Sequence, residues 1–127
     1  MESSYSIEPD EFLIRLKVWG ELTADGLMEV MNRVGSDPRH RPDMPVIADL
    51  REAHGNWDYS EIQRFRDYVA RIETPREARW AAVVVPGTLV AVGHVLILIS
   101  EAVGTRIRMH LFEDPQSALR WVRGTHE

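Results

Sequence analysis

The sequence predicts an α/β domain built on a mostly parallel sheet that an antiparallel hairpin opens. Near its start, residues 12–19 alternate: Phe12, Ile14, Leu16 and Val18 fall on one side, Arg15 and Lys17 on the other. Period two marks a half-buried strand. Further on, Trp80-Ala81-Ala82-Val83-Val84-Val85 is apolar throughout, as a central strand covered on both faces requires. Helix-length segments separate the later strands, and strands so separated pair in parallel through right-handed crossovers.

Taken in order, Tyr5-Ser6-Ile7-Glu8 reads as a short strand. Pro9-Asp10-Glu11 is the turn that returns the chain as the alternating strand, since proline presets the backbone angle at a turn's first central position. Gly20-Glu21-Leu22 leads to a helix capped by Thr23, with Asp25 suiting its positive end, a stripe of Leu27, Val30, Met31 and Val34, and Gly35 as its stop. Residues 36–45 hold three prolines and no apolar period, so they form a loop. Val46-Ile47-Ala48-Asp49-Leu50 is the next strand, followed by a polar loop to Trp57. Asp58, with Glu61 three residues on, opens a helix as a capping-box pair, and Ile62, Phe65, Val69 and Ile72 supply its inner face until Pro75. Pro86-Gly87-Thr88 leads into a helix running to about Val103. Residues 107–112 form the last strand, and Asp114-Pro115 opens a short fourth helix through Ala118, Leu119, Trp121 and Val122.

The bulk properties bound the function. At 127 residues the chain has the size of one domain and buries enough surface to need no disulfide or metal staple. It contains no cysteine, which excludes thiol nucleophiles and thiolate metal sites and fits a reducing compartment. The start, Met1-Glu2-Ser3-Ser4, is acidic and polar, unlike a secretory signal. The most apolar run, residues 89–99, falls well short of the roughly 20 residues that cross a bilayer. A net charge of −5 argues against nucleic acid or an anionic membrane as partner. A cytoplasmic location is expected.

The element order, together with Trp19-Gly20-Glu21-Leu22 closing the second strand, Asp49-Leu50-Arg51 closing the third, and Phe112-Glu113-Asp114 leading to Ala118-Leu119-Arg120-Trp121-Val122, resembles the STAS fold of anti-sigma-factor antagonists. More closely, the chain is similar to the small bacterial proteins called SpoIIAA-like. The resemblance covers nearly the whole chain and favours a regulatory or protein-binding role without a cofactor. The wider STAS and lipid-transfer-like relatives include modules that bind proteins, nucleotides or hydrophobic ligands, and the sequence does not select among them. Phosphorylated antagonists carry an Asp-Ser-Ser-Gly segment at the start of the helix after the third strand. Here that region reads Trp57-Asp58-Tyr59-Ser60-Glu61, so the phosphoserine switch is not implied.

In an open α/β sheet the crevice beyond a strand's carboxyl end is the usual place for a site. Asp49, Arg51, His54, Trp57, Tyr59 and Ser60 are therefore the candidate binding residues. Asp49 is either an acid, base or anchor, or a carboxylate that accepts backbone N–H groups and organises the loop. Trp57 and Tyr59 either present contact area or cap the sheet end. Ser60 is either a phosphoacceptor or a first-turn helix residue. His40, His54, His94, His110 and His126 are scattered without metal-ligand spacing, and Arg39-His40-Arg41 is flanked by Asp37 and Asp43. No nucleophile elbow or phosphate-binding glycine loop occurs.

The third helix is apolar nearly all round. One stripe is Leu89, Val92, Leu96, Ile99 and Val103; another is Ala91, Val95, Leu98 and Ala102. Such a helix is buried on more than its sheet side, which predicts a homodimer or a closed apolar pocket involving Val90, His94, Ile97 and Leu98. The leading functional expectation is a non-enzymatic interaction module that binds a protein. A carrier or sensor of a small hydrophobic ligand is the alternative, and an enzyme using Asp49 with His54 is the third.

Overall fold

The computed structural model describes residues 1–124, so His126 lies outside the described residues. The elements come in the expected order: β1 (Glu2–Glu8), β2 (Leu13–Glu21), α1 (Ala24–Gly35), β3 (Val46–His54), α2 (Tyr59–Ala70), β4 (Ala78–Val83), α3 (Thr88–Ala102), β5 (Ile107–Phe112) and α4 (Pro115–Val122). They form one five-stranded sheet in the order β1-β2-β3-β4-β5, with β1 antiparallel to β2 and the remaining pairs parallel.

Strands laid down in chain order dictate where the helices go. Successive right-handed crossovers that all step the same way put their helices on one face. The front core accordingly joins α1, α2 and α3 to Ile14, Leu16, Val18 and Val46. The last helix has no further strand to reach and covers the rear. There α4 seals a second cluster of Leu13, Ile47, Ala81, Val83, Ala118 and Val122. This cover on both faces is why β4 is apolar from Trp80 to Val83.

Helix starts follow the expected chemistry. Thr23 Oγ1 accepts from Gly26 N at 3.0 Å. Asp58 and Glu61 form the reciprocal capping box, each carboxylate accepting the other's backbone N–H. Asp114 accepts from Ser117 N at 2.8 Å, with Pro115 at the first helical position.

Ile14, Leu16, Ile47, Val83 and Val84 are buried as expected, and β4 lies between two strands. Three expectations are corrected. Phe12 is no part of the alternating face: it sits in the hairpin turn at φ 52°, 41% exposed, and Leu13 takes the rear core instead. Val85 is 47% exposed, because β4 ends at Val83 and Val85 lies on the connection to α3. The segment from Arg51 to His54 is strand rather than loop. A register shift between Lys17 and Trp19 lets Glu52, Ala53 and His54 pair with Trp19, Gly20 and Glu21, and those ladder bonds hold a polar stretch extended.

Candidate functional site

The carboxyl ends of β2 to β5 lie along one edge of the sheet, and the loop after β3 is held there by a backbone crossing. Trp57 is 7% exposed, and its Nε1–H donates to the Leu22 carbonyl at 3.0 Å. Its ring meets Phe65 edge-on at 5.7 Å. Leu22 N in turn donates to the His54 carbonyl at 2.7 Å. Gly55 passes so close that a Cβ there would stand 2.7 Å from the Leu22 oxygen. Trp57 is therefore withdrawn from the candidate contact surface and is the lid of the front core. Its indole needs both an apolar bed and one acceptor, and this crossing supplies both.

The remaining candidates do not converge. Asp49 Oδ1 accepts from Arg51 N and Nε at 3.1 and 3.0 Å, and Oδ2 from Arg51 Nη2 at 2.9 Å. The Arg51 side chain, ahead of its backbone N–H, holds the Asp49 carboxyl below its usual range. Asp49 is thus the anchoring carboxylate and Arg51 its partner. Asp49 and His54 stand five positions apart on one strand, roughly 16 Å at the usual rise, so the structure does not join them into an acid–base pair. His54, Tyr59 and Ser60 are exposed, Tyr59 to 56%.

Arg39 of the basic tract is engaged as well. Asp37 accepts from Arg39 N, Nε and Nη2 at 2.9–3.0 Å and from the Tyr5 hydroxyl at 3.1 Å. Burial lowers the His40 pKa. The Arg39 side chain, then its backbone N–H, pulls the Asp37 carboxyl far below its ordinary 3.8. A depressed carboxylate stabilises the fold above its unfolded pKa, and that contribution is lost as pH falls through the folded value. Asp37→Asn is therefore expected to narrow its stability deficit against the parent as pH falls from about 4 to about 2 in thermal melts. A deficit that stays constant over that range would remove the Asp37 carboxylate from the acid limb.

Two hollows flank α3. Between its inner side and the sheet lies a cavity of about 110 Å³, lined by apolar side chains including Leu16, Leu50, Trp57, Phe65, Leu96 and Ile97. At the edge, α3 leaves β4 toward the front whereas α4 leaves β5 toward the rear, so the topological switch point falls between β4 and β5. An open crevice of about 490 Å³ occupies it, lined by Val85, Pro86, Val90, His94, Phe112 and Glu113 among others. Of the four residues expected at an interface or pocket, His94 and Leu98 are exposed, Val90 lines the crevice and Ile97 lines the inner cavity. Among the described residues, no group of three His, Cys, Asp or Glu could hold a metal ion, and no helix is long and apolar enough to cross a membrane.

Comparison with protein-family models finds no match, and comparison with curated proteins finds none. Among solved structures, the chain is similar to an uncharacterised protein of the DUF3478 family with a SpoIIAA-like fold from Shewanella loihica PV-4. The two are 17% identical with a TM-score of 0.59, over 95% of this chain and 92% of the other. The fold is SpoIIAA-like.

On the SpoIIAA-like frame, the loop after β3 carries Ser60 exposed in the first turn of α2, one residue before Glu61 of the capping box. The crevice between β4 and β5 is the part of the edge that sequence reasoning missed. A signal for it existed. An apolar β4 needs cover on both faces, three crossovers supply only one, and the final helix must cross behind the sheet at the strand that precedes it.

Proposed function

We propose that this chain is a non-enzymatic interaction module that receives a protein partner at the carboxyl edge of its sheet. The observation that supports this reading is Val85. This β-branched apolar side chain is 47% exposed on the ridge between two open crevices, the one at β4 and β5 and a second of about 210 Å³ reaching His54 and Gly55. An apolar knob flanked by recesses suits a protein surface, whose binding energy concentrates in a few such anchors. Val85→Glu puts a charge on the knob without entering the core. The expected result is a melting temperature within about 2 °C of the parent, as for surface changes generally, and loss of the specific protein that the parent retains from its host's extract. Retention of that protein by both forms would remove the carboxyl edge from the reading.

A carrier or sensor of a small hydrophobic ligand is the second reading, favoured by the apolar cavity beneath α3. At about 110 Å³ it is smaller than the roughly 150 Å³ that admits benzene in an engineered core. As it stands it suits a ligand of a few carbons, and an acyl chain enters only if α3 shifts. Mass spectrometry of an organic extract of the purified protein separates the readings. Bound cargo supports the carrier; an empty extract with a Val85-dependent partner supports the module.

A further inference from the structure

Helix α3 has two apolar sides with different fates. Leu89, Val92, Leu96 and Ile99 turn inward. Ala91, Val95, Leu98 and Ala102 are exposed at every position, Leu98 to 68%. Their spacing of four, three and four is the seam of a helix pair, with Ala91 and Leu98 at one core position of the heptad and Val95 and Ala102 at the other. Residues 88–100 contain no Asp, Glu, Lys or Arg. A charged partner helix would find nothing to pair with along most of this face.

The flanks of the seam identify its occupant. On one side stand Val92 and Ile99, packed into the domain's own core. On the other stand His94 and Glu101, both exposed. No hydrogen bond or ion pair engages either side chain among the described residues. In an antiparallel pair with Val95 opposite Leu98 and Ala91 opposite Ala102, the two polar flanks face one another. His94 then meets Glu101 of the other chain, and Glu101 meets His94, so an imidazole N–H finds a carboxylate twice. A parallel pair would instead set this flank against the side taken up by the packed core. The face complements itself in one orientation.

We propose that this face of α3 binds a second copy of the chain, α3 against α3 in antiparallel register about a two-fold axis, with His94 of each copy paired to the partner's Glu101. This goes beyond the carboxyl-edge reading: Val85 lies outside the seam, and the crevice beside it shares only His94 with the proposed contact. An isologous contact of this kind closes at two copies. About six residues per chain are far fewer than the roughly 20–30 of a standard interface, so the dimer is weak, with a dissociation constant on the order of tens of micromolar.

Sedimentation equilibrium of the full chain from about 5 to about 500 μM spans that range. The expected mass rises from monomer toward dimer, and Leu98→Glu remains a monomer throughout with an unchanged melting temperature, because Leu98 is exposed. The register has its own test, since the chain has no cysteine. Ala91→Cys combined with Ala102→Cys is expected to form a covalent dimer under mild oxidation. Either single variant is not, because each residue lies roughly 16 Å along the axis from its own counterpart, beyond the roughly 7 Å a disulfide spans. A parent chain that stays monomeric at the highest concentration overturns the proposal, and so does a dimer that survives Leu98→Glu. A monomeric parent that binds phosphatidylcholine vesicles through Leu98 would assign the face to a membrane and overturn it equally. Cross-linking by the single variants overturns the antiparallel register.

Discussion

Trp57→Ala is expected to lower stability by about 3–5 kcal/mol, the usual cost of emptying a large buried aromatic site. For a domain of this size that is a fall in Tm of roughly 10–25 °C. Two losses combine. The indole leaves a void beside the existing front cavity, which Trp57 already lines, and the Leu22 carbonyl loses its donor at 3.0 Å. Trp57→Phe separates them: it keeps most of the contact with Phe65 but removes the N–H, and about 1–3 kcal/mol of the loss should remain. Thermal melts of parent and both variants test this. A Trp57→Ala protein within 2 °C of the parent would restore Trp57 to the list of surface contact residues, where the sequence left it as one of two options.

Gly55→Ala is expected to cost about 1–3 kcal/mol, the range for forcing extra volume into packed structure. Its methyl would stand 2.7 Å from the Leu22 oxygen. A backbone atom cannot swing aside as a side-chain tip can, so the crossing itself must open. Opening it lengthens the Trp57 hydrogen bond to the same oxygen. The two substitutions therefore act on one contact, and Gly55→Ala with Trp57→Ala is expected to cost less than the sum of the singles. Urea titrations of the four proteins form the cycle. Strict additivity would mean that Gly55 and Trp57 act separately.

The parts of this fold written in local chemistry were legible. The capping residues Thr23, Asp58 with Glu61, and Asp114 with Pro115 each act within three positions of themselves, and each starts the helix expected of it. The even hydrophobicity of residues 80–84 and the inward stripe of α3 likewise report their surroundings directly. The misreadings share a different cause, which is a partner distant in sequence. Polar residues 51–54 carry no strand signal, and only pairing with β2 past its bulge keeps them extended. Trp57 stays undecided between contact and cover in the sequence because its acceptor, Leu22, lies 35 positions earlier. The loop-organising option for Asp49 was open to sequence reading because its partner Arg51 is two residues away. The crevice between β4 and β5 depends on which side of the sheet the last helix takes, and that is a property of the whole topology.

The strand order also governs how the chain can assemble. Since every strand pairs with the one before it, each step of sheet growth closes a loop no longer than one crossover, and the front core can accumulate from β1 onward as a zipper does. Parallel pairing of this kind is slow to close, but each closure is far shorter than the one at the rear. The rear is different. Its seal joins Leu13 and Ile47 to Ala118 and Val122, and the Arg123 guanidinium reaches Glu11 at 2.6 Å across 112 positions of sequence. That closure spans nearly the full chain and has nothing to rest on until β3, β4 and β5 are in place. The rear seal is therefore expected to form late in folding, so that weakening it, as in Ala118→Gly, speeds unfolding more than it slows refolding in stopped-flow measurements.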